Sequence, residues 1–584
     1  MKKYLFIALA ALGFAACTEK GEDNAPIQNA ELEESYIAIN LMAADSDTRA
    51  ATDSYGYELG TEAERVVKSA HFFFFDENGN PFNLISETNS PATAPGGSKN
   101  HLQLNINPMA GQEGDNINVS DISNAVLILN TYKGIYPKQV VAVLNWTPDN
   151  KPYSLDDLHT ITSSLVNSVN GGYVMSNSVY MVDDDSKKMF DAVAIAEENI
   201  KKNAGDAMAA PINIYVERIA AKVVLTASGN VADNNIFSTQ KTSSLITLEG
   251  ITSTEVFVQL NGWELYNDYN TSYLVKNIDT SWTTNSLGLS WNDSPYYRCY
   301  WAQSQSDDLS DTFAWEYTND VKTAKGFSTE YGFNVASTAD YTDTTTYTYC
   351  GENTRAWSET NDVRTKVILK GQLMKKTGDN SYEPLTLAQW YGNDYAGVDN
   401  LKTAVANSLA YTLFYYDTEL AKYVSIQPND IECAETVATE KSYQTGFILS
   451  TNGQQKNWFT YSSATGVYTA LAAVDSQEAM INATNAYLAA NVVPALVYSE
   501  GQTYYIVDIR HLGNDLEKPA YYGVVRNHVY QIDILTIKGY GSPVYNGFSN
   551  IVTPEYPQVY DDTYVAAKIN VLSWKVVKQG VNIE

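Results

Sequence analysis

The sequence predicts a mainly β protein made of two β-sandwich-like domains with a few short helices. Three observations carry that expectation. The chain has 584 residues, more than one hydrophobic core usually serves, so two domains of a few hundred residues each are expected. Hydrophobic residues make up 44% of it and 43 residues are tyrosines, a type that favours half-buried strands. Apolar side chains recur at alternate positions in many short runs bounded by turn residues, as in strands packed on one face.

The charge narrows the partners. Lys+Arg 38 against Asp+Glu 68 leaves a net charge of -30, which repels phosphate backbones and anionic head groups, so nucleic acid is not an expected partner.

The N-terminus carries an address. Lys2 and Lys3 precede a short apolar stretch over residues 4–12, too short to span a bilayer, and small residues lead to Cys17; this is the pattern of a secretion signal. The run Gly13-Phe14-Ala15-Ala16-Cys17 resembles a bacterial lipobox, in which cleavage leaves the cysteine as the acylated first residue. Phe14 departs from the usual aliphatic there. No later stretch is long and apolar enough to cross a membrane.

A polar, acidic spacer over 18–29 leads to a strand at 35–42, with Ile37, Ile39 and Leu41 on one face. Residues 43–54 are small and polar around a single arginine, Arg49, in the kind of loop where proteases nick. The only other arginine before Arg218 is Arg65. It runs into a core strand over 66–75 that closes in the turn Asp76-Glu-Asn-Gly79. Strands are expected at 125–129 and 139–144. A helix is expected from the cap Ser154, with Asp157 three residues on and Leu155, Leu158, Ile161 and Leu165 on one stripe. The apolar run 212–225 is long for one strand and marks a domain boundary. Further strands are expected at 256–260 and 366–373, a hairpin at 495–509 turning at Glu500 and Gly501, and helices near 400–412 and 476–490.

The tail is unusual. A strong strand at 529–537 is followed by a linker rich in Gly, Pro, Tyr and Asn over 539–560, then by a last strand. In it Val565, Ala567, Ile569 and Val571 share a face, after which the apolar phase shifts to Leu572, Trp574 and Val576, as a bulge would cause. A strand tethered like this can pair in its own domain or reach the sheet of another molecule.

Catalytic signatures are absent. There is no GxSxG, no HExxH and no Gly-rich loop ending in Lys-Ser/Thr. His71, His101, His159, His511 and His528 are scattered without ligand spacing, so each reads as an ordinary strand or surface residue. Asp183, Asp184 and Asp185 lack the glycine turn and distal glutamate of an EF-hand loop and read as a solvated turn. Cys299, Cys350 and Cys433 allow one disulfide at most and form no Cys/His cluster. No catalytic residue, metal site or cofactor is expected.

Several segments resemble the fimbrillins, subunits of type V pili, and are most similar to the major stalk subunit of the short-fimbria type. They are Gly523-Val-Val-Arg-Asn-His-Val-Tyr-Gln-Ile-Asp-Ile534 with the closing Ile569-Asn-Val-Leu-Ser-Trp-Lys-Val576, Val216-Glu-Arg-Ile-Ala-Ala-Lys-Val223 near the domain junction, Tyr349-Cys-Gly-Glu-Asn-Thr354 followed by Lys366-Val-Ile-Leu-Lys-Gly-Gln-Leu373, and Val141-Ala-Val-Leu-Asn145. Their order, more than any one motif, carries the resemblance.

The resemblance implies transthyretin-like sandwiches, a removable N-terminal strand and a C-terminal donor strand. It divides the chain into a lipoprotein signal peptide with its cysteine (1–17), a propeptide (18–49), an N-terminal β domain (50–220), a C-terminal β domain (221–538), a linker (539–563) and the donor strand (564–584). Cys17 would carry the lipid and hold the precursor on the outer membrane. An arginine-specific protease would cut between Arg49 and Ala50, with Arg65 as the weaker site, and release the strand of Ile37, Ile39 and Leu41. Ile569, Val571, Leu572, Trp574 and Val576 of the next copy would fill the groove, giving a head-to-tail filament that supports adhesion and biofilm formation. The implied partners are further copies of the chain and minor anchor and tip subunits. The alternatives are an anchor or tip component, a glycan-binding surface lipoprotein and, as an enzyme, an exported glycoside hydrolase.

Overall fold

Four consecutive phenylalanines, Phe72, Phe73, Phe74 and Phe75, are all fully buried, which requires a strand covered on both faces. The computed structural model containing it describes residues 32–43, 64, 66–84, 99–104, 123–132, 134–167, 172–178, 180–181, 189–190, 192–226, 231–232, 236–266, 268–269, 271–277, 304, 315–318, 321–325, 331–332, 347–354, 364–438, 443–511, 523–544, 550–552, 564–573 and 577–578.

The first sheet contains β1 (Leu32–Ala43), β2 (Ala70–Phe75), β3 (His101–Leu104), β4 (Ser123–Tyr132), β5 (Gln139–Leu144), β6 (Met175–Asn177) and β7 (Ile212–Arg218). Its order is β3-β2-β5-β6-β7-β1-β4, with Val193–Ala194 added against β5. Phe72 and Phe74 face a core shared with Ile37, Leu129, Val140, Ala142 and Ile214. Phe73 and Phe75 face the other way, onto Val141, Val143, Tyr153 and Leu158. The turn after β2 is tied by Asp76 Oδ1, which accepts from the main-chain N–H of Asn78 and Asn80 at 2.8 and 2.9 Å, and Gly79 takes a φ of 80°.

The second face of β2 is closed by α1 (Leu155–Thr160), capped reciprocally by Ser154 and Asp157. The helix stops at Thr160, short of the stripe that ran on to Leu165, and Ile161 is already extended. Thr162, Ser163 and Ser164 are poor helix formers, and they pair instead with Thr271–Tyr273. Leu165 reaches the same core as Leu158 from extended chain.

Two of the histidines read as scattered lie together here. The rings of His71 and His101 are 6.1 Å apart, and both side chains are buried. Burial, aided by Lys99 and for His71 by the neighbouring imidazole, lowers each pKa from 6.5 to about 4. The unfolded chain therefore takes up these protons first. Their contribution to stability is complete above pH 6.5 and is lost as the pH falls towards 4. Melting curves should show Tm dropping over that window, and a His71→Phe, His101→Phe double variant should flatten the drop.

Between Arg218 and Ala220 the chain passes into a second sheet, and the long apolar run is split at Ile219 into β7 and β8 (Ala220–Thr226). This sheet also holds β9 (Tyr347–Gly351), β10 (His528–Lys538), β11 (Tyr564–Ser573) and β12 (Val577–Lys578), in the order β9-β8-β10-β11-β12. A larger sheet faces it, with the strands Ile236–Thr247, Gly250–Tyr266, Lys366–Gly378 and Gln502–Asp508 antiparallel at its centre. One core joins the two sheets as a sandwich: Ala221, Val223, Leu225, Tyr530, Ile532 and Ile534 on one side, Val256, Val258, Leu260, Val367, Leu369 and Tyr505 on the other. Helices α2 (Ala204–Met208), α3 (Val398–Leu409) and α4 (Gln477–Asn491) complete the described elements used below.

Three local expectations are corrected. Leu496–Tyr498 and Gln502–Asp508 do not form a hairpin: the first pairs with Leu387–Trp390 and the second with Lys366–Gly378. Gly501, at φ 76°, makes the step between them, and a Cβ there would come within 2.4 Å of the Leu373 carbonyl oxygen. No bulge falls at Val571 and Leu572, because the register of β11 on β10 runs unbroken from His528↔Ser573 to Ile534↔Ala567. The shift lies after Ile534, opposite Ala567 and Ala566. His511 and His528 are likewise not scattered, since their buried rings lie 5.1 Å apart. Asp183, Asp184, Asp185 and Cys299 lie outside the described residues, and no disulfide joins Cys350 and Cys433.

Candidate functional site

The two ends of the chain occupy different kinds of place. β1 is an interior strand. It runs parallel to β7, with Ile39↔Ile212 and Leu41↔Ile214, and antiparallel to β4, with Ser35↔Leu129, Ile37↔Leu127 and Ala38↔Val126. Tyr36 exchanges two main-chain hydrogen bonds with Lys201, of 2.8 and 3.0 Å. Ile37 and Ile39 are fully buried in the core containing Val67, Phe72, Phe74 and Leu129. On the opposite face Ala38, also fully buried, meets Val126 and Ala207 of α2, with Tyr36, Ala204 and Met208 around them.

β4 is the edge strand beyond β1. With β1 gone, β4 would lose the one ladder it makes among the described residues and β7 would expose one side, leaving a strand-sized gap floored by apolar residues and roofed by α2. The hydroxyls of Ser35 and Thr131 are buried along this ladder without hydrogen-bond partners. For Leu41 the backbone position is described, beside Ile214; Cys17, Arg49, Ala50 and Arg65 lie outside the described residues.

The tail strand sits at the other extreme. β11 pairs antiparallel with β10 over ten residues, and β12 folds back on it through Asn570↔Lys578 and Val571↔Val577. Removing β11 would leave the β9-β8-β10 ladders whole. Ile569, Val571 and Leu572 are opposite Ile532, Tyr530 and Val529, while Trp574 and Val576 lie outside the described residues. The chain before β11 is not wholly free of the sheets: Ser542–Pro543 pairs with Gln502–Asp508, and Asn550–Val552 with Val321–Lys325.

A third feature escaped the sequence reading. Glu64, fully buried, receives a 2.9 Å salt bridge from Lys222 Nζ of β8 and a hydrogen bond from the Tyr349 hydroxyl. Its main-chain oxygen accepts from Arg218 Nε at 2.6 Å. Burial pushes its carboxyl up, but Lys222, Tyr349 and Arg218 outweigh burial and hold it below the usual range. Lys222 Nζ also lies 3.8 Å from the centre of the Tyr347 ring. One signal was available: a lysine inside the run Ala220-Ala-Lys-Val-Val-Leu225 must find a buried anion. Among the described residues no group of three or more His, Cys, Asp or Glu could hold a metal ion, and no helix is long and apolar enough to cross a membrane.

Comparison with known proteins bears on the tail. No curated protein matches the chain. Among solved structures it is similar to a fimbrilin from Porphyromonas gingivalis (12% identity, 94% of this chain and 98% of that one, TM-score 0.36). It is also similar to the tip fimbrial protein Mfa3 from the same organism (11%, 92% and 99%, 0.29) and to a fimbrial assembly protein from Parabacteroides distasonis (10%, 75% and 100%, 0.25). TM-scores this low decide nothing about function. Residues 496–580 match the family described as major fimbrial subunit protein type IV, fimbrillin, C-terminal, so the stretch that holds β10, β11 and β12 is similar to the C-terminal part of a structural fimbrial subunit.

Proposed function

We propose that this chain is a non-enzymatic structural subunit of a surface fimbria, exported as a lipoprotein through Cys17, cut between Arg49 and Ala50, and polymerised when the tail strand of one copy replaces β1 of the next. One observation carries the reading: β1 is an interior strand with Ile37 and Ile39 fully buried, and a small polar loop holding Arg49 follows it. Loss of such a strand breaks two ladders at once and leaves main-chain donors and acceptors that only another strand can satisfy. The tail, β11 with β12, lies at the margin of its sheet and is tied to the rest of the domain through the ladder on β10, so it can leave without breaking the β9-β8-β10 ladders. The precursor would rest on the outer membrane and the mature subunit in a cell-surface filament, with anchor and tip subunits and an arginine-specific protease as partners.

Arg49→Ala tests this. The variant should accumulate as a longer, monomeric, membrane-held protein, seen by mass spectrometry of the N-terminus and by gel filtration. Normal filaments from it would move the cut to Arg65 or overturn the reading.

The glycan-binding alternative has its own observation. Phe414, Tyr416, Tyr423, Phe459, Tyr461 and Tyr468 share one face of a small four-stranded sheet. Yet Tyr423 and Tyr468 stack on each other at 3.7 Å, which occupies ring faces that a sugar would need.

A further inference from the structure

The groove left by β1 is selective about register, and this rests on the strand-replacement reading above. Its inner face takes large aliphatic side chains, those of Ile37 and Ile39. Its outer face closes at a single point: Ala38 is fully buried against Val126 and Ala207, and a side chain much larger than its methyl group there would press on α2. Further towards the N-terminus, the inner face keeps the partnerless buried hydroxyl of Thr131 on β4, which in the uncut chain lies diagonal to the equally partnerless hydroxyl of Ser35 on β1. An incoming strand therefore needs a polar residue, two large apolar residues on the inner face, and a small one between those two.

Two registers of the tail compete. Sequence likeness alone favours laying Ile569-Asn-Val-Leu572 over Ile39-Asn-Leu-Met42. That puts Ala567 in the place of Ile37, Val565 in the place of Ser35 and, worst, Lys568 in the place of Ala38. The other register sets residues 567–578 over residues 32–43. Leu572 and Trp574 then take the places of Ile37 and Ile39, Val576 that of Leu41, and Ser573 that of Ala38. Asn570 replaces Ser35, diagonal to Thr131 across the ladder, where its amide can serve the orphan hydroxyl. Val571 replaces Tyr36, on the half-buried apolar rim of the α2 contact.

We infer that the donor strand enters a second copy in this second register, with Ser573 as the small residue that fits beneath α2 and fixes it. The strand then divides its work. Residues up to Ile569 can stay on β10 of their own subunit while Asn570 onward enters the neighbour. The phase shift in the tail is the sequence mark of that division: Val565, Ala567 and Ile569 alternate in one sheet, Leu572, Trp574 and Val576 in the other.

Cross-linking distinguishes the registers. Val126 is the Cα partner of Ala38 on β4, and directly opposed residues in an antiparallel pair have the separation a disulfide needs. Full chains, cut behind Arg49, are mixed in pairs: Val126→Cys with Ser573→Cys, and Val126→Cys with Lys568→Cys, each variant alone serving as control. An intermolecular disulfide at least ten-fold more abundant for the Ser573 pair is expected on a non-reducing gel. Ser573→Leu should in addition stop filament growth, whereas Ser573→Ala and Lys568→Leu should permit it. A cross-link to the Lys568 position together with growth of the Ser573→Leu chain would overturn the register and leave strand replacement standing. Filaments that form with neither cross-link would overturn both.

Discussion

Deleting residues 572–584 is expected to abolish filaments without unfolding the subunit. The truncated chain keeps the β11 ladder from Tyr530↔Val571 to Lys538↔Tyr564 and loses only Val529↔Leu572, His528↔Ser573 and the two β12 pairs. These are edge contacts, so the sandwich between β8, β10 and the large sheet should melt within a few degrees of the intact protein. Polymerisation should fail completely, because the binding balance is narrow. Five apolar side chains entering a groove at roughly 1.5 to 3 kcal/mol each give on the order of 8 to 15 kcal/mol. Ordering about twelve residues at ~1 to 2 kcal/mol each opposes it by a similar amount. Main-chain pairing along the strand must tip the balance, and the deletion removes both the pairing and the large anchors, Leu572, Trp574 and Val576. Electron microscopy of cells and gel filtration of the trimmed protein would measure it. Undiminished filaments would remove the tail from the assembly.

The elements that were legible in the sequence are those whose pattern is local. Runs of strand-favouring residues place β5 and β10 within a residue or so of their observed limits, and the helices expected near 400–412 and 476–490 are α3 and α4, displaced by a few residues at most. The helix α1 was overextended because Leu165 keeps a helical spacing from Leu158 although it reaches the core from extended chain. The missing hairpin has a different cause. Leu496–Tyr498 and Gln502–Asp508 were identified correctly as strands, but their partners lie about a hundred residues or more upstream, at Leu387–Trp390 and Lys366–Gly378, and turn residues at Gly501 say nothing about distant pairing. The candidate site divides the same way. That Ile37 and Ile39 share a face could be read from spacing, but that their strand is interior, between β7 and β4, could not. Nor could the sequence show that Ala38 touches Ala207, which is what makes the register selective.

Breaking the Glu64–Lys222 pair should be strongly destabilising. Both side chains are at or below 1% exposure, 2.9 Å apart, and removing one member of such a pair leaves the other buried without its counter-charge, a loss of about 3 to 5 kcal/mol. That is a large share of the ~5 to 15 kcal/mol that holds a domain folded. Lys222→Met should lower the urea midpoint sharply. Glu64→Gln should do so as well, since it strands the ammonium beside the rings of Tyr347 and Tyr349. The double variant should recover much of the loss, because two neutral groups of similar size carry no unpaired charge; a double variant as unstable as the worse single one would mean that packing, not charge, sets the cost. The same pair discriminates between the two cleavage positions. A cut behind Arg49 keeps Glu64 in the mature chain, whereas a cut behind Arg65 discards it and takes the Glu64 carboxylate away from Lys222, which lies beside the rings of Tyr347 and Tyr349. Protein beginning at Val66 should therefore unfold at a lower urea concentration than protein beginning at Ala50. Lys222→Met should destabilise the longer form and spare, or even stabilise, the shorter one. Equal midpoints for the two forms would show that Glu64 does not hold the junction between β7 and β8, and would leave Arg65 as usable a cleavage site as Arg49.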